Sequence, residues 1–114
     1  MGPTTELMLR GAQFYADNVA AFSLHTADPG EAGSSEVVGG AYARLAVTWT
    51  VQPSGTANSS TVTFSVPDNT TIAYVGMWAD DGSFLDSVAF TANFPAAGTL
   101  DIAIVWYLNY VEVV

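Results

Sequence analysis

The sequence predicts a mostly β protein: an antiparallel β-sandwich or jelly-roll-like domain with one short N-terminal α-helix. Three observations carry this. Apolar residues follow a helical stripe only within residues 4–18. From Val19 onward the hydrophobic period is two. The period-two segments are separated by Gly, Pro, Asn and Asp, the residues of tight turns. A chain of 114 residues has the size of one domain and buries about two-thirds of its extended surface. The expected division is 1–18 as N-terminal arm and helix and 19–114 as sandwich.

In the helix, Leu7, Gly11, Phe14, Tyr15 and Asn18 share one stripe, with Met8 beside it. Thr4 is placed to cap the start, and Glu6 lies in the positively polarised first turn. Gly11 costs about 1 kcal/mol relative to Ala, so packing must hold the helix. In 42–51, Leu45, Val47, Trp49 and Val51 share one face, while Arg44, Ala46, Thr48 and Thr50 share the other. Residues 61–66 repeat this with Val62, Phe64 and Val66 against Thr61, Thr63 and Ser65. Both read as half-buried antiparallel strands.

Segments 72–78 and 102–108 are apolar on both faces, as in a strand that is central or covered on its outer side. Asp80-Asp81-Gly82-Ser83 reads as the hairpin turn into a strand over 84–90, because Asp-Gly accepts positive φ. The chain ends in a β pattern over 110–114, either tied into the sheet or open to pairing with another chain. Two loops remain. Segment 27–40 is long, glycine-rich and acidic, beyond the usual connection length; 52–60 is a plainer polar turn.

Composition narrows the function. Half of the residues are apolar and 11% are charged, against about 25% charged in ordinary soluble domains. Part of the surface is therefore expected to be covered by neighbours. The charge is lopsided: Arg10 and Arg44 face eleven acids, for a formal net charge of −9. Two guanidiniums cannot displace the counterions that nucleic-acid binding requires, and anionic membranes are excluded on the same ground. Without cysteine, neither a disulfide framework nor a thiolate site is available. No apolar run reaches the length of a signal peptide or a membrane span.

No catalytic, cofactor or metal residues are assigned. His25, the one histidine, has no second His or Cys to complete a triad, and no Gly-X-Ser-X-Gly elbow is present. It reads as a hydrogen-bonded structural residue at a strand end. Asp28, Glu31 and Glu36 do not follow the spacing of a twelve-residue calcium loop and read as solvated loop acids. Arg44 reads either as an exposed ion pair or as a pin holding the long loop to the sheet, where a bidentate carboxylate adds selectivity. Trp49, Trp78 and Trp106 with Tyr74, Tyr107 and Tyr110 read as core or interface aromatics.

The run Leu24-His25-Thr26-Ala27-Asp28-Pro29-Gly30-Glu31, then Ser35-Glu36-Val37-Val38-Gly39-Gly40-Ala41-Tyr42-Ala43-Arg44 and Ala46-Val47-Thr48-Trp49, resembles a family of small tailed-bacteriophage virion proteins. Tyr74-Val75-Gly76-Met77-Trp78, with the turn to Phe84-Leu85, resembles that family's later hydrophobic segment. Members are labelled tail-fibre or virion structural proteins, and proteins of this size commonly decorate capsids. The resemblance implies that Asp28-Pro29-Gly30 and Gly39-Gly40 shape the long loop, and that Tyr42 and Arg44 fasten it. This chain departs from the pattern with Ser35 where Asn is expected and Leu45 where a polar residue is common.

The resulting expectation is a non-enzymatic virion structural protein, made in the bacterial host cytoplasm. A capsid decoration or head appendage is expected first; the alternative is a tail-fibre or tail-appendage subunit that contacts a cell-surface glycan. The expected partners are further copies of the chain, as a trimer or ring, and other virion proteins such as the major capsid protein. Because 72–78 and 102–114 are apolar beyond what one sandwich layer absorbs, Trp78, Trp106, Tyr110 and Val113 are the expected interface residues; the competing cover is the N-terminal helix, which at about four turns can shield one of these strands and not both.

Overall fold

The computed structural model describes residues 4–107 and 110–114, with only the backbone of Tyr110. Leu108, at the end of the expected strand 102–108, lies outside the described residues, as does the Tyr110 side chain. The helix α1 spans Thr5–Asn18. Thr4 caps it from an extended backbone, its Oγ1 accepting the Leu7 N–H at 3.2 Å. At the far end the Val19 N–H donates to the Tyr15 carbonyl before the chain turns extended. Ala12 is wholly buried, whereas Leu7 and Phe14 stay exposed, so one narrow side of the helix is seated.

Among the described residues ten strands follow: β1 (Ala21–His25), β2 (Leu45–Ala46), β3 (Trp49–Val51), β4 (Ala57–Ser59), β5 (Val62–Val66), β6 (Thr70–Trp78), β7 (Phe84–Phe94), β8 (Gly98–Ile102), β9 (Ile104–Tyr107) and β10 (Tyr110–Val113). Every pairing is antiparallel. One sheet has the order β2-β1-β6-β7, a second has β10-β9-β4-β3, and β5 pairs with β8. Because β4 leads into β5 and β8 into β9 across short breaks, the β5–β8 ladder prolongs the β4–β9 ladder.

The core lies between these layers. Phe22 and Leu24 of β1 with Ile72, Val75 and Met77 of β6 meet Phe64 and Val66 of β5, Ile102 of β8 and Ile104 of β9. Fully burying each such side chain stabilises the fold by about 1.5–3 kcal/mol. The structure is mostly β with one short helix, as the periodicity predicts.

Three expected elements differ in detail. Segment 42–51 is two strands, not one: β2 pairs with β1 in the first sheet and β3 pairs with β4 in the second. The chain changes layer at Val47, whose N–H donates to the Ala20 carbonyl. The in-out alternation survives the crossing, because Val47 is buried while Ala46 and Thr48 are exposed. Segment 102–108 likewise divides at Ala103 between β8 and β9. The hairpin strand reaches Phe94 instead of stopping at 90, and it forms one edge of the first sheet.

Candidate functional site: the clasped loop

β1 ends at His25, and the chain then loops out and returns antiparallel beside it. Thr26 N–H donates to the Ser35 carbonyl, Val37 N–H to the Leu24 carbonyl, and His25 pairs with Glu36. The excursion is built locally. The Asp28 carboxylate accepts the Gly30 N–H at 2.9 Å, and the carbonyl of the buried Pro29 accepts the Ser34 N–H. Gly30, Gly39 and Gly40 have φ of 63°, 110° and 58°. Ser35 is left-handed at 62° without being glycine.

This loop lies on the outer face of the first sheet, where Ser23 and His25 of β1 sit beside Gly76 and Trp78 of β6. A chain of hydrogen bonds runs through that face: the Trp78 Nε1–H donates to Ser23 Oγ at 2.7 Å, Ser23 Oγ meets His25 Nε2 at 2.6 Å, and His25 Nδ1 meets the Ser34 carbonyl at 2.7 Å. A carbonyl only accepts, so the proton is on Nδ1, and Nε2 accepts from Ser23. Burial holds the His25 pKa below its ordinary value and keeps the ring neutral. Two glycines make the approach close. A Cβ on Gly33, itself at φ 74°, would come within 2.5 Å of the Trp78 ring; one on Gly76 would collide with Ser23 and His25.

Glu36 is the hub of the clasp. Arg44 donates from Nε (3.2 and 3.1 Å) and from Nη2 (3.0 Å), and the Tyr42 hydroxyl donates to Oε2 at 2.7 Å. The Tyr42 hydroxyl also accepts the Leu24 N–H at 2.9 Å, and its ring stacks on Phe64. Arg44 lies 3.5 Å above the centre of the Trp78 ring, closing the cover. Burial pushes the Glu36 carboxyl up, but Arg44 and Tyr42 together outweigh it and hold the pKa below the usual carboxylate range. The same bond to Glu36 raises Arg44. Burial and the neighbouring carboxylate keep the Tyr42 phenol protonated.

The clasp unites Tyr42, Arg44 and Trp78 with the loop that Asp28, Pro29, Gly30, Gly39 and Gly40 shape. Trp106 and Val113 lie elsewhere, on the core side of the second sheet. Trp106 stacks on Tyr15 with centroids 5.4 Å apart, and Val113 pairs with Ile104. Trp78 and Trp106 keep 7% and 9% of their surface, so neither offers an open face to a neighbour. The cover that the apolar pattern of 72–78 assigned to another subunit comes from the chain's own loop. In 102–107 the sandwich core and α1 cover Ile102, Ile104 and Trp106, while Ala103, Val105 and Tyr107 stay half-buried. Glu36 is likewise half-buried and paired instead of solvated, while Asp28 and Glu31 are exposed. Sequence reasoning did not find the roles of Glu36, Ser23, Gly33 and Gly76; the alternation of polar residues with Trp78 and His25 on paired strands was the available signal.

Among the described residues, no three His, Cys, Asp or Glu side chains converge as metal ligands. The clasp can fix a surface, and its Ser23–His25 contact is wholly buried, with both residues at 0% exposure. Residues 4–103 match the family model of the podophage GP4 fiber I protein gp80. The chain belongs to that family. The match spans the helix, the residues of the loop and every strand through β8. This makes the protein a phage structural protein of fibre type, a component of the virion. No curated protein and no solved structure matches.

Proposed function

We propose that the protein is a non-enzymatic fibre-appendage subunit of a tailed phage particle, acting through rigid protein–protein contacts with other virion proteins. With a capsid decoration or head appendage as the alternative, the fibre-family match over 4–103 supports this reading. Two features support it. The described residues span 46 × 24 × 24 Å, an elongated body suited to a projecting appendage. The longest loop is fastened at both ends instead of being left as a mobile lid, as a mechanical part requires. Electron microscopy of virions labelled with a gold-conjugated antibody tests it. Label at the tail or its fibres is expected. Label spread over the capsid faces would establish the head-decoration alternative, and absence from purified particles would end the structural reading.

A further inference from the structure

The first sheet ends on β7, eleven residues long, with no hydrogen-bonded neighbour on its outer side among the described residues. An edge strand points alternate N–H and C=O groups outward, and proteins protect such edges with lysines, prolines, bulges or short strands. The ladder of β7 with β6 shifts register at Leu85 and again between Ala89 and Ala92, which leaves 86–89 as a regular run between two irregularities. β7 has no Lys, Arg or Pro, and its one charge is Asp86. That carboxylate is not a free guard. It accepts the Ser87 N–H at 2.8 Å and the Tyr15 hydroxyl at 3.1 Å. The edge strand of the other layer, β10, contributes Val111 and Val113 to the core near β7, yet the two strands do not pair.

The opening stretch of this edge is flanked by two depressions. One, about 220 Å³, lies toward the clasped loop and is lined by Gly30, Glu31 and residues 84–87. The other, about 200 Å³, lies toward the helix and is lined by Phe14, Tyr15, Val19 and Leu85 with Asn18 and Asp86. Phe14 is 69% exposed and Leu85 45%, so apolar surface stands beside open peptide groups. Successive side chains of a strand point to opposite faces. A strand laid along β7 from Asp86 onward, with its end beside the bulged Leu85, would therefore place one side chain toward the apolar hollow and the next toward the acidic one.

We propose that this edge is a strand-addition site for an extended segment of another protein in which apolar and basic residues alternate. Main-chain bonds supply affinity in such complexes, and pockets for alternate side chains supply selectivity. Charge selects the partner. Glu31, Asp86 and the exposed Asp80 and Asp81 of the preceding turn are all acidic, and both arginines are taken up by acids, Arg10 by Glu6 and Arg44 by Glu36. An acidic segment, or a second copy with its own −9 charge, is repelled. The site stands on the geometry of the edge and holds for any location in the particle.

The test uses the full chain and three synthetic decapeptides: alternating Lys and Val, the same composition in two blocks, and the alternating peptide N-methylated on one edge. The alternating peptide is expected to shift the amide resonances of 84–88 and the helix residues around Phe14. Its binding should exceed that of the block and N-methylated peptides by more than about tenfold, and Leu85→Lys, at an exposed position, should abolish it without altering the fold. Equal binding of all three peptides would show charge attraction alone and overturn the proposal, as would shifts elsewhere or no binding. A dimer of the free protein that Leu85→Lys dissolves would overturn the assignment to a different partner.

Discussion

Two strands of this chain are apolar on both faces, and each has one face covered by a different device. β6 is covered on its outer side by a loop held through directed bonds: Trp78 to Ser23, His25 to Ser34, and Arg44 and Tyr42 to Glu36. β9 is covered on its Trp106 face by a helix held mainly by shape, where Ala12, Ala57 and Trp106 form a buried cluster and Tyr15 stacks against Trp106 and meets Trp49 edge-on, with the Tyr15 hydroxyl to Asp86 and the Trp49 Nε1–H to the Val19 carbonyl as its few directed bonds. A loop without its own periodic ladder needs polar anchors at fixed points. A helix satisfies its own backbone and needs only a complementary surface. Damage to the helix contact is therefore expected to act on the whole fold, and damage to the clasp on its own segment.

The largest effect belongs to the helix side. Trp106→Ala is expected to cost about 3–5 kcal/mol, the range for deleting a large aromatic from a packed site. Urea unfolding measures it, and amide exchange across α1 should approach the global rate, because Tyr15 loses its stacking partner. A cost no greater than that of a surface change would mean that α1 is held by Trp49, whose Nε1–H reaches the Val19 carbonyl at 2.9 Å.

Next comes Glu36→Gln, which keeps the shape of the hub but removes its charge. Arg44 loses its counter-ion and the loop loses its charge-assisted bonds, an expected cost of about 1–3 kcal/mol. The Arg44 and Glu36 side chains retain 43% and 22% of their surface, so solvent screening places the value in the lower part of that range. Exchange is expected to rise for 26–44 while β5 and β9 stay protected. A uniform rise across the sandwich would erase the distinction between the two covers.

Acid should act on the clasp in two steps. The His25 pKa is held below 6.5 in the fold, so between those values the unfolded chain binds more protons, and stability falls as pH is lowered through 6.5 toward the folded value. The Glu36 pKa is held below 4.5, so its contribution is present above 4.5 and is lost as pH falls toward the folded value. Urea midpoints followed from above 6.5 to below 4.5 should show both, and Glu36→Gln should remove the lower step alone. The helix side should add no step at His25, since none of its packed residues touches that ring.

Much of the layering was legible in the sequence, because alternation in 61–66 and the double-sided apolarity of 72–78 are direct consequences of burial. The layer change at Val47 was not, since a strand that crosses between sheets keeps the same in-out rhythm as one that does not. Arg44 stood out because it is one of two cations. Its partner Glu36 did not, being one of eleven acids with nothing local to distinguish it. The cover of β6 was read as another subunit because a loop of Gly, Ser and Glu carries no apolar signal, and its hold on Trp78 depends on Gly33 lacking a side chain.

The smallest predicted effect tests whether the loop is limited by its anchors or by its backbone. Ser35 sits at φ 62°, a region costing an ordinary residue about 1–2 kcal/mol, which Asn adopts more readily. It is exposed, and the contacts it makes use its carbonyl, which accepts the Thr26 N–H and hydroxyl. Ser35→Asn therefore changes backbone preference while leaving those bonds available. It should stabilise the protein by up to about 1 kcal/mol, read as a raised urea midpoint with slower exchange at 26 and 35–37. If the midpoint rises in the wild-type background but not in Glu36→Gln, the anchors and the backbone act as one unit. Equal gains in both would mean that the left-handed turn at Ser35 sets the loop's path before Glu36 closes it. The loop would then share with α1 a local structure formed in advance of its packing, and the two covers would differ only in how they are finally fastened.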